Sequence, residues 1–278
     1  MRKKMAPNTS DHIPDYGLVD RVILVTGGTS GIGYAVADLA LRQGARVAIA
    51  GSDADRTRRA VDALPGVRGY PLDVRDPVAV EAVVHDVEDS IGPLDAVVAS
   101  AGISKPAPSE SMSTSQWNDV LDVNLTGTFH TLRSAGRRMR RRGRGSLVAV
   151  GSVNTFGGHV DRANYAASKS GLTGLVKSLS IEWGLDGVRV NAVAPGPVDT
   201  PMMWRVLSQT DIDRTLVSRV PLGRLSTPYE QAAPILFLIS DAASFITGAV
   251  LPVDGGVTAG FFTDSGAGRA ADNKEGTA

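Results

Sequence analysis

Tyr165 and Lys169 are the two residues whose types and spacing most directly suggest chemistry. They lie four positions apart in Tyr165-Ala-Ala-Ser-Lys169, so on a helix both side chains project from one face toward one ligand. A phenol with its ordinary pKa of about 10 is a poor base at neutral pH. A nearby ammonium, or a positively charged ring, favours the phenolate and brings the group toward operating pH. The pair predicts that Tyr165 is a general acid/base, although such a pair alone is equally typical of a helix surface.

Ser152 is the second candidate. It stands thirteen residues before Tyr165, where a predicted strand ends, and its hydroxyl can hydrogen-bond a substrate oxygen on which charge develops. The chain has no cysteine, which excludes disulfides, thiolate metal sites and cysteine nucleophiles. We predict no metal site.

A glycine-rich turn, Thr26-Gly-Gly-Thr-Ser-Gly-Ile-Gly33, follows the first predicted strand and opens a helical pattern. Glycines allow the backbone to approach a pyrophosphate closely, and the helix N-terminus offers free N–H groups. Its spacing is TGxxxGxG, and a purely structural turn is the alternative. The predicted dinucleotide contacts here are Gly27, Thr29, Ser30, Gly31, Ile32 and Gly33.

The end of the second predicted strand bears on which dinucleotide binds. Gly51, and not an acidic residue, follows the strand directly. Ser52 and Arg56 could hold a 2′-phosphate, which favours NADP(H). Asp53, and the absence of arginine from the glycine turn, favour NAD(H), so that alternative stays open. After the third strand, Asp73 and Val74 are candidate adenine contacts, with a helix N-cap for the segment near Pro77 as the alternative for Asp73.

Short apolar runs that alternate with helical patterns must position these residues. The predicted strands are Val22–Thr26, Arg46–Ala50, Val67–Leu72, Leu94–Ala99, Ser146–Gly151, Val188–Val193 and Ala249–Val253. Most lack polar alternation, as strands buried on both faces of a parallel sheet do. The pattern predicts one α/β domain over 18–259, a doubly wound parallel sheet of about seven strands with helices on both faces. Segments 1–17 and 260–278 lack periodicity and are predicted to be flexible ends.

Composition narrows the classes of partner. Lys plus Arg and Asp plus Glu both total 29, so no net charge attracts nucleic acid or an anionic membrane. No apolar run approaches the roughly 18 residues that span a bilayer, and no apolar stretch follows the basic start. We predict no nucleic-acid partner, no membrane association and a cytoplasmic location. The arginine run at 137–144 is interpreted as the solvated basic end of a helix, with a nucleic-acid or carrier contact as the alternative.

Taken together, these motifs resemble the short-chain dehydrogenase/reductase family, and the likeness extends from about Leu18 to Val257. Besides the motifs above it includes Asn124 in Asp122-Val-Asn-Leu-Thr-Gly127 and the run Asn191-Ala-Val-Ala-Pro-Gly196. The resemblance implies that Lys169 lowers the pKa of Tyr165 and bonds the nicotinamide ribose, that Ser152 orients the substrate, and that Asn124 holds a water. It also implies nicotinamide-side contacts by Tyr165, Lys169, Pro195, Gly196, Val198 and Thr200.

One motif departs from the family pattern. The family usually has Asn-Ala-Gly after the fourth strand, whereas this chain has Ser100-Ala101-Gly102. These three residues are still predicted to line the cofactor. We expect the replacement of asparagine by serine to affect local stability and cofactor affinity more than the chemistry.

Substrate contacts are predicted in two segments. Asn154, Thr155, Phe156 and His159 follow Ser152, and Met202 and Met203 begin a segment, 202–227, predicted to be a substrate lid. The alternative for His159 is a side chain that is simply exposed to solvent. The alternative for 202–227 is an amphipathic helix pair packed on the core.

The small residues along the helix of Tyr165, together with the resemblance, predict a homo-oligomer, a tetramer by resemblance. The predicted function is an oxidoreductase that transfers a hydride between NAD(P)(H) and a secondary alcohol/ketone. It resembles 3-oxoacyl-carrier-protein reductases in particular. The alternatives are a nucleotide-binding sensor or scaffold without turnover, and an epimerase or dehydratase that uses transient oxidation.

Overall fold

A computed structural model describes residues 14–205 and 208–260 and shows one seven-stranded parallel sheet. The strands are β1 (Val22–Thr26), β2 (Arg46–Gly51), β3 (Arg68–Pro71), β4 (Ala96–Ala99), β5 (Gly145–Val150), β6 (Val188–Pro195) and β7 (Val250–Val253). Their spatial order is β3-β2-β1-β4-β5-β6-β7. The chain winds outward from β1 in one direction and then returns to continue from β4 in the other. This reversal places a crevice beyond the carboxyl ends of β1 and β4, where open α/β sheets bind ligands.

Helices cover both faces of the sheet. They are α1 (Gly31–Arg42), α2 (Ala54–Ala63), α3 (Pro77–Ser90), α4 (Thr114–Leu121), α5 (Gly127–Arg142), α6 (Ala163–Trp183), α7 (Pro201–Trp204), α8 (Gln209–Asp211) and α9 (Pro228–Ile239). One apolar cluster joins the sheet to α1 and α9, through residues such as Leu39 and Leu236. A second cluster joins the other face to α3, α5 and α6, through Val84, Leu132 and Val176. The predicted doubly wound fold is therefore confirmed.

The predicted strands all exist, and their ends differ by at most two residues. β6 extends to Pro195 because Ala194 and Pro195 still pair with β7, at Pro252 and Val253. β4 begins at Ala96, later than predicted. Apolar content alone cannot locate these ends, because the residues that flank a buried strand are often apolar too.

The two segments predicted to be flexible ends, 1–17 and 260–278, lie largely outside the described residues, since 1–13 and 261–278 are not described. Within the described part, Tyr16 packs against Phe237 with ring centroids 6.3 Å apart, and its N–H donates to Gln43. In the described residues, no helix is long and apolar enough to cross a membrane.

The arginine run ends α5 and is held mostly by carboxylates rather than left in solvent. Arg138 pairs with Glu81 at 2.9 Å, Arg142 with Glu88 at 2.7 Å, and Arg140 with Asp186 at 2.5 Å. Gly143 ends the helix in the left-handed conformation at φ 73°. The run therefore ties α5 to α3 and to the turn after α6, a structural role that sequence spacing did not reveal.

Candidate active site

A cleft of about 900 Å³ lies at the carboxyl ends of the strands. Its walls extend from the glycine turn after β1 to the loop after β5 and the segment after β6. The same cavity brings together Ser152, Tyr165 and Lys169, which lie on two different elements. This is the crevice that the strand order predicts.

The glycine turn is closely packed. Gly27 has φ 71°, and a Cβ there would lie 2.6 Å from the backbone nitrogen of Ala101. A Cβ on Gly33 would clash with the carbonyl oxygen of Gly27. Gly33 does not line the cleft. It allows α1 to approach the turn, and only glycine fits both positions without moving the backbone.

The N-terminus of α1 leaves N–H groups available to a ligand. Ser30 is the N-cap, but its side chain accepts no hydrogen bond from the first turn. Thr29, Ser30, Gly31 and Ile32 line the cleft. Uncapped N–H groups and the positive end of the helix dipole suit a pyrophosphate, so this cradle fits a dinucleotide.

At the end of β2, the structure separates the candidate ribose contacts. Ser52 and Arg56 line the cleft. Asp53 does not, because its side chain caps α2 by accepting a 2.9 Å hydrogen bond from the N–H of Arg56. The hypothesis that Asp53 is a ribose partner is therefore disfavoured, since its carboxylate already serves the helix.

Asp73 and Val74 line the cleft next to the end of β3, and their role as adenine contacts stays a prediction. The alternative role of Asp73 as a helix N-cap is wrong, because Asp76 caps α3. Asp73 instead accepts hydrogen bonds from the guanidinium of Arg75, which lowers the pKa of its carboxyl. Arg75, which sequence reasoning did not single out, also lines the cleft.

Tyr165, Lys169 and Ser152 meet at the centre of the cleft. The Nζ of Lys169 lies 5.7 Å from the ring centroid of Tyr165 and donates to the Val150 carbonyl at 2.7 Å. The Ser152 hydroxyl donates to the amide oxygen of Asn154 at 3.2 Å. Tyr165 is half-buried, while Lys169 is only 5% exposed.

Burial dominates the electrostatics of this group. It raises the pKa of Tyr165, while contact with the Ser152 hydroxyl and the charge of Arg162 act in the opposite direction. Burial lowers the pKa of Lys169 to about 8. The charge of Arg162 thus acts on the phenol, and the Lys169 ammonium, which the sequence predicts to favour the phenolate, lies 5.7 Å from the centroid of the same ring.

Asn124 lies in a π-helical turn, Asp122–Thr126, between α4 and α5. It is fully buried and does not line the cleft. Its amide oxygen accepts from the Ile103 N–H at 2.8 Å, and its amide nitrogen donates to the Ile103 carbonyl and to Ser168. Asn124 thus holds the loop after β4 against α6, next to Lys169.

The predicted substrate contacts divide into two groups. Asn154, Phe156, His159, Met202 and Met203 line the cleft. Thr155 does not, because its hydroxyl donates to the Lys169 carbonyl at 3.0 Å and ties the loop to α6. The sequence gives no signal that distinguishes a side chain that lines the cleft from one that binds the backbone of a neighbouring helix.

The remaining predicted cofactor contacts, which follow β4 and β6, all line the cleft. They are Ser100, Ala101, Gly102, Pro195, Gly196, Val198 and Thr200. The hydroxyl of Thr26, whose carbonyl accepts a 3.0 Å hydrogen bond from the Ser100 N–H, is buried and has no hydrogen-bond partner among the described residues.

Arg162, like Arg75, is a cleft residue that the sequence analysis did not predict. It is the N-cap of α6, lines the cleft and donates a short hydrogen bond to the Ser104 hydroxyl. Its place three residues before Tyr165, in the same helical register, is a signal that the spacing rule used for Lys169 could also have found.

Known proteins match this chain over nearly its whole length. A family model described as Enoyl-(Acyl carrier protein) reductase matches residues 27–258. The 3-oxoacyl-[acyl-carrier-protein] reductase MabA of Mycobacterium avium is 39% identical over 91% of this chain and 97% of its own. The chain belongs to the short-chain dehydrogenase/reductase family.

Other relatives of this short-chain dehydrogenase/reductase have different substrates in their names. Cis-4-hydroxycyclohexanecarboxylate dehydrogenase of Sinomonas cyclohexanicum is 40% identical over 86% of this chain and 97% of its own. The crystal structure of levodione reductase superposes with a TM-score of 0.84 at 32% identity, covering 88% of this chain and 100% of its own.

These relatives are oxidoreductases. Our short-chain dehydrogenase/reductase is accordingly an NAD(P)-dependent enzyme that acts on CH–OH/C=O groups, and the sensor and transient-oxidation alternatives are disfavoured.

Proposed function

We propose that this enzyme reduces the ketone of a small substrate with Tyr165 as the proton donor and NADPH as the preferred cofactor. The observation that carries the proposal is the meeting of Tyr165, Ser152 and Lys169 in a cleft that also contains the glycine turn. A bound nicotinamide supplies the hydride and, when oxidised, a positive charge.

In the proposed reaction, Ser152 and Tyr165 bind the carbonyl oxygen together. The Ser152 hydroxyl donates a hydrogen bond to that oxygen, which fixes the carbonyl and stabilises the negative charge that develops on it. Tyr165 then transfers its phenolic proton to the oxygen as the carbon is reduced. Burial keeps the pKa of Tyr165 high, so the phenol is protonated before reduction, the state that this direction requires.

Lys169 would act on Tyr165 and on the cofactor. Its ammonium lies on the same face of α6 and is already oriented by the Val150 carbonyl. From there it can bond the nicotinamide ribose and stabilise the phenolate left after proton transfer. Asn124 would act as a positioning residue, because its contacts hold Ile103 and Ser168 rather than the cleft.

The preference for NADPH is supported by the end of β2. Arg56 and Ser52 line the cleft where the adenosine ribose would lie, while the only described partner of the Arg56 guanidinium is Asp53 at 3.8 Å. An exposed pair at this distance is weak, so a 2′-phosphate can recruit the guanidinium at little cost.

The names of the relatives indicate only a broad class of substrate. Their names include 3-oxoacyl-carrier-protein, acetoacetyl-CoA and hydroxycyclohexanecarboxylate substrates, which share a secondary alcohol/ketone next to or near an acyl or carboxyl carbon. We propose a substrate with these features, and a homotetrameric assembly in which exposed Ile181, Leu185 and Phe245 are covered.

The first experiment titrates the purified enzyme with NADPH and with NADH and follows nicotinamide fluorescence. We expect tighter binding of NADPH, and we expect Arg56→Gln to weaken NADPH by about tenfold while changing NADH little. Tighter NADH binding by the wild type would reject the proposed preference. Failure to bind either cofactor would contradict the proposed function as a whole.

Tyr165→Phe tests the acid/base assignment. Turnover should fall by roughly 10²–10⁴-fold, because only the phenolic hydroxyl is removed, while the Kd for NADPH changes little. Equal loss of turnover and of cofactor binding would indicate a structural role for Tyr165 instead.

A further inference from the structure

Positive side chains outnumber carboxylates in the lining of the cleft. Lys105, Arg162, Arg205 and Arg219 line it, and apart from Asp73, which pairs with Arg75, Asp119 is the one carboxylate among the described lining residues. Asp119 is already paired with Lys105 at 2.5 Å. Among the side chains that the structure describes, no carboxylate forms an ion pair with Arg162, Arg205 or Arg219.

Arg162 differs from the other two arginines in burial. Arg205 and Arg219 are exposed, so water solvates their charges. Arg162 is half-buried, and its described side-chain partner is the neutral hydroxyl of Ser104. Partial removal of a guanidinium from water without a counter-ion is unfavourable, so the site gains from any anion that enters it.

The position of Arg162 along α6 indicates what that anion belongs to. It lies about one turn before Tyr165, and Lys169 lies about one turn after it. The Lys169 ammonium is held by the Val150 carbonyl. Arg162, whose described side-chain partner is the Ser104 hydroxyl, is the cation on the other side of Tyr165 along α6. Its charge reaches the phenol, since it contributes to lowering the pKa of Tyr165. Both observations place the guanidinium close to the substrate.

We propose that Arg162 binds a carboxylate carried by the substrate itself, so that the natural substrates are oxo acids and the corresponding hydroxy acids. The planar guanidinium offers parallel N–H groups that match a carboxylate, which would orient the ketone toward Tyr165. Because Arg162 lines the same cleft as Tyr165 and its charge acts on the phenol, a substrate whose carboxylate lies a few bonds from its ketone can contact both residues. The inference rests on the proposed function, because it takes Tyr165 as the reacting group.

The test compares matched substrates in matched variants. The substrates are acetoacetate and 4-oxopentanoate, each against its methyl ester, with NADPH and with NADH. We expect the wild-type kcat/KM of the better acid to exceed that of its ester by about tenfold or more. Arg162→Gln, which keeps hydrogen-bonding capacity toward Ser104 but has no charge, should bring the acid-to-ester ratio close to 1. Arg162→Lys should retain part of the preference, because the ammonium keeps the charge but not the bidentate geometry.

Arg137→Gln is the matched control, since Arg137 is an exposed arginine on α5 that does not line the cleft. The acid-to-ester ratio of kcat/KM in this variant should equal that of the wild type. Equal kcat/KM values for acid and ester in the wild type would overturn the proposal. So would an Arg162→Gln variant that slows both compounds equally, because that result indicates a structural role.

A binding measurement decides the matter if none of these compounds reacts. Benzoate and benzamide have nearly the same shape and differ in charge. We expect the wild-type protein, saturated with NADP⁺, to bind benzoate about tenfold more tightly than benzamide, and Arg162→Gln to abolish the difference. Equal affinities in the wild type, or no binding of benzoate, would overturn the carboxylate site.

The two proposals fail in different ways. If the protein binds NADPH or NADH but does not distinguish benzoate from benzamide, only the carboxylate site is rejected. If it binds neither cofactor, the proposed function is rejected, and the benzoate comparison on the cofactor-free protein still tests Arg162.

Discussion

At the nucleotide end of the cleft the backbone is packed so closely that side chains are excluded, whereas at the substrate end there is open space. A Cβ on Gly27 would lie 2.6 Å from Ala101, but Gly157 and Gly158, in the loop after Ser152, have no atom within 4 Å of where a Cβ would lie. The first end must fit a ligand part that is the same in every reaction. The second must fit the part that differs between substrates, and relatives with different substrates in their names share this fold. Close packing therefore marks the shared function, and open space marks where specificity can change.

After Tyr165, the largest effect is expected at Lys169, where the two ends meet. Lys169→Met should lower turnover by roughly 10²-fold or more, because the ammonium that supports the phenolate is lost. The same change should stabilise the cofactor-free protein by about 1–3 kcal/mol near pH 7, since it removes a buried charge. Activity assays and urea unfolding of both proteins measure the two effects.

The pH dependence of that stabilisation has a definite sign. Burial lowers the pKa of folded Lys169 to about 8, below its ordinary 10.5. Between these values the unfolded chain binds more protons than the folded protein, so the wild type gains stability as the pH rises through this window. The advantage of Lys169→Met should therefore be full below pH 8 and shrink toward pH 10.5.

Lys105→Met, at an exposed ion pair, is the control and should change stability by less than about 1 kcal/mol. A pH-independent difference would contradict the buried charge.

A pair of glycine substitutions tests the contrast between the two ends directly. Gly33→Ala should destabilise the protein by roughly 1–3 kcal/mol and weaken NADPH, because the new methyl group meets the Gly27 carbonyl. Alanine is otherwise favoured over glycine inside a helix, so a loss here must come from the clash. Gly158→Ala should change stability by no more than about 0.5 kcal/mol. Thermal unfolding and cofactor titration measure both, and similar losses at both positions would remove the distinction between the ends.

The sequence locates the glycine turn and the strands well and the contacts of the loop after Ser152 less well, and the reason is physical. A glycine turn and a helix N-terminus are local patterns, and strands buried in a parallel sheet have a recognisable apolar composition, so TGxxxGxG and the apolar runs identify them. The division between Thr155, which binds the backbone of α6, and Asn154, which lines the cleft, depends on how a loop packs. That packing is a tertiary property, and the types of the two residues do not contain it.

Charge partners are equally hard to predict. The arginine run of α5 finds Glu81, Glu88 and Asp186 on other elements, and Asp53 is used by its own helix. The spacing of Arg162 from Tyr165 is visible in the sequence, but its half-buried position without a described carboxylate partner is recognisable only after these pairs are known.

The smallest expected effect concerns Ser100, at the floor between the two ends. The Thr26 hydroxyl beside it is buried without a described partner, and the backbone N–H of Ser100 donates to the Thr26 carbonyl at 3.0 Å. Ser100→Asn should add about 1 kcal/mol of stability, because the longer amide can reach the hydroxyl.

Thr26→Val, which keeps the shape and removes the hydroxyl, separates this cause from general packing. It should cost little in the wild type, where the hydroxyl is unpaired, and about 1 kcal/mol more in the Ser100→Asn background. Thermal unfolding of the four proteins gives the coupling. A value near zero would mean that the two side chains do not interact, and that the serine is tolerated for a reason other than the unpaired hydroxyl.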